Sequence, residues 1–211
     1  MVDGGSNDGS QLVAKKDRAV SARVISNPDL GIYDAMNKGI IASNGTYIHI
    51  LNADDFYSEP NVLSDMAEML KSSDVAIGDV NYFSPEDINI VTRYWNTGPY
   101  PDEGFADGWH PCHPGFFCRR KLYEEYGGFD IRYDIAADYE IMLRFCHSDT
   151  NVRSAGRVTT YMQNDGHSSS VKNRVIGNFQ CWKAFKKTFP ERGTLLRFLV
   201  SRYKYKKSQF I

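Results

Sequence analysis

Nine residues, Tyr47-Ile48-His49-Ile50-Leu51-Asn52-Ala53-Asp54-Asp55, constrain this chain more than any other stretch. Their β-branched and aromatic side chains suit a strand packed on both sides, with Ile48 and Ile50 alternating against Tyr47 and Leu51. Asn52, Asp54 and Asp55 follow where the strand ends, which in an open α/β sheet is where ligands bind. Two neighbouring carboxylates repel unless a cation or hydrogen-bond donors absorb their charge. Hard oxygen ligands of this kind suit Mg²⁺ or Mn²⁺, ions that commonly keep a bound diphosphate in their shell. A second reading stays open on these residues alone: the aspartates turn the chain and cap the helix after Pro60.

The flanking segments read as an α/β chain. Val2-Asp3 looks like a strand end, running into the turn Gly4-Gly5-Ser6-Asn7-Asp8-Gly9. Ser10 or Asp8 would cap a short helix, Gln11 to Lys16, although a flexible polar tail has the same composition. Ala22 to Ser26 reads as a strand and Asn27 to Gly31 as a turn. Ile32, Ala35, Met36, Gly39 and Ile40 repeat at helical spacing before Asn44-Gly45 ends the helix. Strand, helix and strand with short links predict a parallel, right-handed crossover.

Beyond Asp55, residues 61–72 are predicted as an amphipathic helix and 75–83 as a buried strand, with 88–95 antiparallel at one side of the sheet. The segment 96–113 has no period, and a loop of that length in a compact domain is usually functional. A strand at 115–118, a helix to Tyr126, a helix opening at Ala136 and two strands at 152–155 and 158–162 follow. Helices then occupy 171–187 and 194–207, the last one basic and amphipathic. It suits either an anionic membrane surface or docking on its own domain.

Composition narrows the class. With 211 residues, 42% apolar and 24% charged, the chain has the make-up of a globular domain with room for a core. A net charge of −1 gives nucleic acid no electrostatic footprint. No apolar run reaches the roughly 18 residues of a membrane span, and no basic-then-apolar leader is present, which predicts a cytoplasmic chain. Cys112, Cys118, Cys146 and Cys181 lack paired metal spacing and read as reduced, buried thiols.

Five blocks in order make these segments more specific. Val2-Asp3-Gly4-Gly5-Ser6-x-Asp8-Gly9-Ser10, Gly31 to Gly39 and Leu51-Asn52-Ala53-Asp54-Asp55 resemble the nucleotide-sugar half of family 2 glycosyltransferases. Cys112 to Tyr123 with Gly127-Gly128-Phe129-Asp130, and Ala136-Ala137-Asp138-Tyr139-Glu140, resemble the acceptor half, with the closest look to bacterial members that build extracellular or capsular polysaccharides. The resemblance runs from residue 2 to about residue 170. It implies a GT-A-like, Rossmann-like α/β fold: a mostly parallel central sheet flanked by helices, a small antiparallel acceptor-side sheet and C-terminal helices. The domain would span 1–190, and 191–211 would form the basic amphipathic tail.

The resemblance also assigns roles. Asp3 matches the position that hydrogen-bonds the base, and a carboxylate suits the imide N–H of uracil. Asn37 and Lys38 would meet base or phosphate. Asn52, Asp54 and Asp55 match the DxD-type motif, with Asn where the family usually has Asp; Mn²⁺ or Mg²⁺ would then fall to Asp54 and Asp55, joined by His167. Asp138 matches the catalytic base, with Glu140 as a fallback. His113 would line the acceptor side, and Trp109 and His110 could stack on a sugar ring. The implied reaction is metal-dependent, inverting transfer from a nucleotide diphosphate sugar, UDP-linked, to a glycan or lipid-linked acceptor, in the cytoplasm or at the inner membrane face. Family members also carry a strand and a helix ahead of the Val2-Asp3 segment, where Met1 stands in this sequence. Without that central strand, two unpaired sheet edges are expected. A chain that only binds nucleotide or a partner glycosyltransferase therefore stays open as an alternative. A nucleotidyltransferase would need a basic, Gly-rich triphosphate loop, which the opening segment lacks.

Overall fold

The computed structural model describes residues 1–16, 23–146, 149–164, 170–192 and 194–208. Its axis is one strand, β5 (Val75–Phe83), buried along its length except at Asn81. A strand covered on both faces needs a continuous apolar run, and Val75-Ala76-Ile77 with Val80 supplies it. The other elements are β1 (Val2–Asp3), α1 (Ser10–Lys16), β2 (Ile25–Ser26), α2 (Ile32–Ala42), β3 (Tyr47–His49), β4 (Phe56–Tyr57) and α3 (Val62–Leu70) before it. After it come β6 (Val91–Trp95), β7 (Phe116–Arg119), α4 (Arg120–Tyr126), α5 (Ala137–Phe145), β8 (Val152–Gln163), α6 (Val171–Thr188) and α7 (Leu195–Ser208).

Six strands form one sheet in the order β3-β7-β5-β8-β4, with β6 on the far half of β5. The first half of β5 pairs antiparallel with β7, from Val75↔Cys118 to Ile77↔Phe116, and its second half pairs antiparallel with β6. On its other edge β8 runs parallel to it throughout. The class is the expected α/β, but the sheet is mixed rather than mostly parallel. The reason is β7: it enters from the 3-10 turn His113–Gly115 and runs back between β3 and β5, against both.

Residues 152–155 and 158–162, read separately from the sequence, are one strand. Its register against β5 shifts between Ile77 and Asp79, and Gly156 takes a left-handed φ of 63° at the irregularity. Gly78 faces this point on β5, where a Cβ would run into the Thr159 side chain. One layer of the core, with Val62, Met66 and Leu70 of α3 against Ala76 and Phe117, covers one face of the sheet. The larger layer joins Val75, Ile77 and Phe116 to Ile141, Met142 and Phe145 of α5 and Phe185 of α6.

The predicted β2–α2–β3 crossover does not close within one sheet. β1 and β2 pair in parallel as a separate two-stranded sheet, Val2↔Ile25 and Asp3↔Ser26, while β3 pairs with β7. An apolar cavity of about 580 Å³, lined by Val2, Met36, Ile40, Ile48 and Ile50 among others, lies between β1 and β3.

The C-terminal segment docks on the domain. Phe198 of α7 is fully buried, 5.1 Å from the Phe185 ring and 6.5 Å from that of Tyr139. Leu196 and Tyr203 stay exposed on the same helix. Among the described residues no helix is long and apolar enough to cross a membrane. All four cysteines are free and buried, as expected.

Candidate active site

The first wall of the site is the end of β3 and the turn after it. His49 fixes that end: its Nε2–H donates to the Pro114 carbonyl at 2.9 Å, so its Nδ1 accepts from the Tyr57 hydroxyl at 3.0 Å. Burial pushes its pKa down to about 3, with the Pro114 bond opposing and His113 adding to the fall. The imidazole is therefore neutral, stacked on Phe117 at 3.8 Å. It was not singled out from the sequence, where a His inside an apolar run was the available signal.

Past it, the Asp55 N–H donates to the Asn52 carbonyl at 3.2 Å, folding the two residues into a turn. The Asn52 amide donates back to Asp55 Oδ2 at 3.2 Å. Asp55 is 8% exposed, and its Oδ1 is buried with no hydrogen-bond partner. Burial, then the charge of adjacent Asp54, raises its pKa to about 6 against bonds from Asn52 and Gln163. Asp54 itself is exposed. A buried carboxylate with an orphaned oxygen and a second carboxylate beside it suits a hard divalent cation. Asp54 and Asp55 therefore fit that duty, and the Asn52 side chain holds Asp55 in place. Among the described residues no group of three or more His, Cys, Asp or Glu gathers as a ready-made metal cluster. His167, expected as a further ligand, lies outside the described residues.

Asp3 sits at the end of β1, 6% exposed. Its Oδ2 accepts from Ser26 Oγ (2.7 Å), Gln11 Nε2 (2.8 Å) and the N–H groups of Ser6 and Gly5 (3.1 and 3.2 Å). Hydrogen bonds from Ser6 and Ser26 lead in lowering its pKa to about 2, so it is a carboxylate at any working pH. Oδ1 accepts a longer bond from the Ser6 N–H, at 3.3 Å. Asn37 is engaged at both ends of its amide by the Phe129 backbone (2.8 and 2.9 Å), bolting α2 to the Gly127–Phe129 turn. Lys38 donates to the Pro28 carbonyl at 2.9 Å and pairs with Asp34 at 2.8 Å. Either would reach a ligand only by leaving these partners.

The second wall is the start of α5. Asp138 Oδ1 accepts the Tyr139 N–H at 2.7 Å and lies 3.3 Å from the Tyr33 hydroxyl, whose one proton has the Ile135 carbonyl closer, at 2.9 Å. Tyr33 reaches across from α2, so the two halves of the chain meet at this carboxylate. Its motif block was visible in the sequence, but its side chain was not assigned. Glu140, the fallback base, is buried and held by Arg144 through both oxygens (3.0 and 2.7 Å), a structural pair. Trp109 is a correction: it is 2% exposed, with its Nε1–H on the Thr97 carbonyl at 2.8 Å, and belongs to the core. His110 and His113 do line the cavity beside Asp138, which has a volume of about 450 Å³. Gln163 lines the same cavity as Asp138, and its backbone hydrogen-bonds the Asp55 carboxylate. Cys112 lines that cavity too; burial pushes its thiol up to about 12, and the charges of Asp138 and Asp55 both add to that rise.

With this geometry in hand, comparison with known proteins is specific. The model of glycosyl transferase family 2 matches residues 1–127, and the chain belongs to that family. A PGL/p-HBAD biosynthesis glycosyltransferase of Mycobacterium bovis is 30% identical over 171 residues, 77% of this chain and 60% of the relative. An uncharacterized glycosyltransferase of Mycobacterium tuberculosis is 30% identical over 68% of the chain and 55% of its own length. The chain thus spans about 55–60% of the curated relatives it matches. Among solved structures, S. aureus TarS 1–349 aligns with a TM-score of 0.67 at 13% identity, over 98% of this chain and 62% of that one. A Pyrobaculum calidifontis mannosyltransferase in complex with GDP-Man and Mn²⁺ aligns at 0.61 and 17%, over 97% and 59%. The fold is GT-A.

Proposed function

We propose that this chain carries the donor site and catalytic base of an inverting glycosyltransferase that uses a nucleotide diphosphate sugar, UDP-linked, and a glycan or lipid-linked glycan acceptor. The observation that carries the reading is that Gln163 joins the two carboxylate regions: it lines the cavity beside Asp138, and its backbone hydrogen-bonds the carboxylate of Asp55, next to Asp54. Family membership, and relatives named as glycosyltransferases, support it.

Asp3 Oδ1 is the atom suited to the imide N–H of uracil, and Asn52 to the ribose. Lys38 and Asn37 would be released from their present partners to meet base or phosphate. A divalent cation held by Asp54 and Asp55, with His167 as a further ligand, would neutralise the departing diphosphate. Asp138 takes the proton of the acceptor hydroxyl as that oxygen bonds to the anomeric carbon, and the bond from that carbon to the diphosphate breaks. One displacement inverts the configuration. The Tyr139 N–H holds Asp138 by Oδ1, which keeps the carboxylate oriented during the transfer.

The exposed Leu196 and Tyr203 on α7, among the basic residues of the tail, support peripheral contact with an anionic membrane surface that brings a lipid-linked acceptor near. The donor site is tested by calorimetric titration of UDP in the presence of Mn²⁺ and then of EDTA. We expect binding with Mn²⁺ that EDTA abolishes and that the paired substitution D54A and D55A removes. Binding that ignores both EDTA and the aspartates would place the nucleotide elsewhere.

A further inference from the structure

The cavity beside Asp138 is cationic and its cations are preset. The Arg93 guanidinium on β6 lies 4.5 Å from the Tyr82 ring centroid and 4.8 Å from that of Trp95. The Arg202 guanidinium on α7 lies 5.0 Å from the Tyr139 ring and 5.6 Å from that of Phe198. All but Phe198 line the cavity. Arg202 Nη2 donates to His110 Nε2 at 3.0 Å, so His110 is neutral and its Nδ1–H points to the Gly108 carbonyl at 3.3 Å. Stacking of this kind fixes a guanidinium plane without using its N–H donors, and such a plane suits recognition of an oxyanion.

Two donors in this wall have nothing to bond. Arg202 Nη1 and the Tyr139 hydroxyl are both buried with no hydrogen-bond partner. An unpaired donor on a buried charged group is costly, and acceptor oxygens entering the cavity would offset that cost. Docking α7 does not require this arrangement, because Phe198 already fills the core position. A neutral acceptor would leave both donors unmet, with the cavity carrying more positive charge than Asp138 cancels.

We infer that the acceptor carries an oxyanion, a phosphodiester or a carboxylate, bound by Arg202, Arg93 and the Tyr139 hydroxyl while Asp138 meets the hydroxyl to be glycosylated. The inference rests on the proposed acceptor role of this cavity and deepens it by naming the acceptor's chemical class. The two guanidiniums and Tyr139 determine specificity and take no part in bond making.

The test titrates dimethyl phosphate, acetate and neutral glycerol into the full 211-residue chain by NMR, alone and with saturating UDP and Mn²⁺. We expect one of the two anions to bind, glycerol not to bind, and the anion to remain bound beside UDP. Whichever anion binds assigns phosphodiester or carboxylate. R93Q should weaken that binding about tenfold, the scale of one charge-assisted hydrogen bond. Y139F, which keeps the ring packing, should weaken it by a smaller factor. Unchanged affinity in both folded variants, or no anion binding by the folded wild type, overturns the inference. Displacement of the anion by UDP with Mn²⁺ also overturns it, because the cations would then serve the donor diphosphate. If UDP itself fails to bind, the glycosyltransferase reading fails separately, whatever the anion does.

Discussion

Replacing Asp55 with Asn will make the free protein more stable at neutral pH and destroy the proposed Mn²⁺-dependent nucleotide binding. Asp55 is buried beside Asp54, and these two causes lift its pKa from 3.8 to about 6. The folded state therefore holds the proton more tightly than the unfolded chain does. That contribution is full below the ordinary value and is lost as the pH rises through about 6, leaving a buried, under-solvated charge at pH 7. The shift alone corresponds to ~3 kcal/mol, and screening at the open side of the site reduces this to about 1–2 kcal/mol. For a chain of this size that is roughly 2–8 °C in melting temperature. Wild type and D55N should melt alike near pH 4 and diverge above pH 6, with the variant higher. Nucleotide affinity with Mn²⁺ should fall by more than the ~10–100-fold that groups merely supporting a metal ligand carry. A variant that melts lower at pH 7.5, or binds UDP with Mn²⁺ as tightly as wild type, would contradict this role.

D138N should leave the donor site intact and stop the chemistry. The Asn side chain preserves the shape and can still accept the Tyr139 N–H, but it cannot take a proton. General-base removal costs about 10²–10⁴ in rate. We expect kcat to drop by that factor while donor affinity, measured by the same UDP titration, stays within about twofold of wild type. Loss of UDP binding in D138N would show instead that Asp138 belongs to the donor pocket. E140Q is the contrasting variant. Its loss would act through the Arg144 pair and lower stability rather than kcat.

The carboxylates of the proposed site stand out in the sequence because they adjoin strongly patterned elements. Asp54 and Asp55 follow an apolar strand, and Asp138 opens a helix whose Ile141, Met142, Leu143 and Phe145 carry a strong core signal. The bounds of β5 were readable for the same reason, since nearly every residue from 75 to 83 is buried. What the sequence hid depends on contacts between distant residues. Tyr33 meets Asp138 across 105 positions, and Arg202 reaches His110 across 92. In a basic amphipathic helix, Arg202 is indistinguishable by pattern from arginines that face water. Trp109 misled because an aromatic in a long aperiodic loop resembles a sugar platform, whereas that loop folds into the core through Phe105 and Trp109. Strand direction was equally hidden, because β7 reads the same whichever way it runs against β5.

Asp54-Asp55 and Asp138 are proposed to serve one reaction on a nucleotide diphosphate sugar. The most direct measurement is release of nucleoside diphosphate from a panel of UDP- and GDP-linked sugars, with Mn²⁺ and with EDTA, by wild type, D55N and D138N. We expect release that needs Mn²⁺, favours a UDP-linked sugar and is lost in both variants. Release by wild type that persists in both variants, or a folded wild-type chain that binds UDP yet turns over no donor, would contradict it.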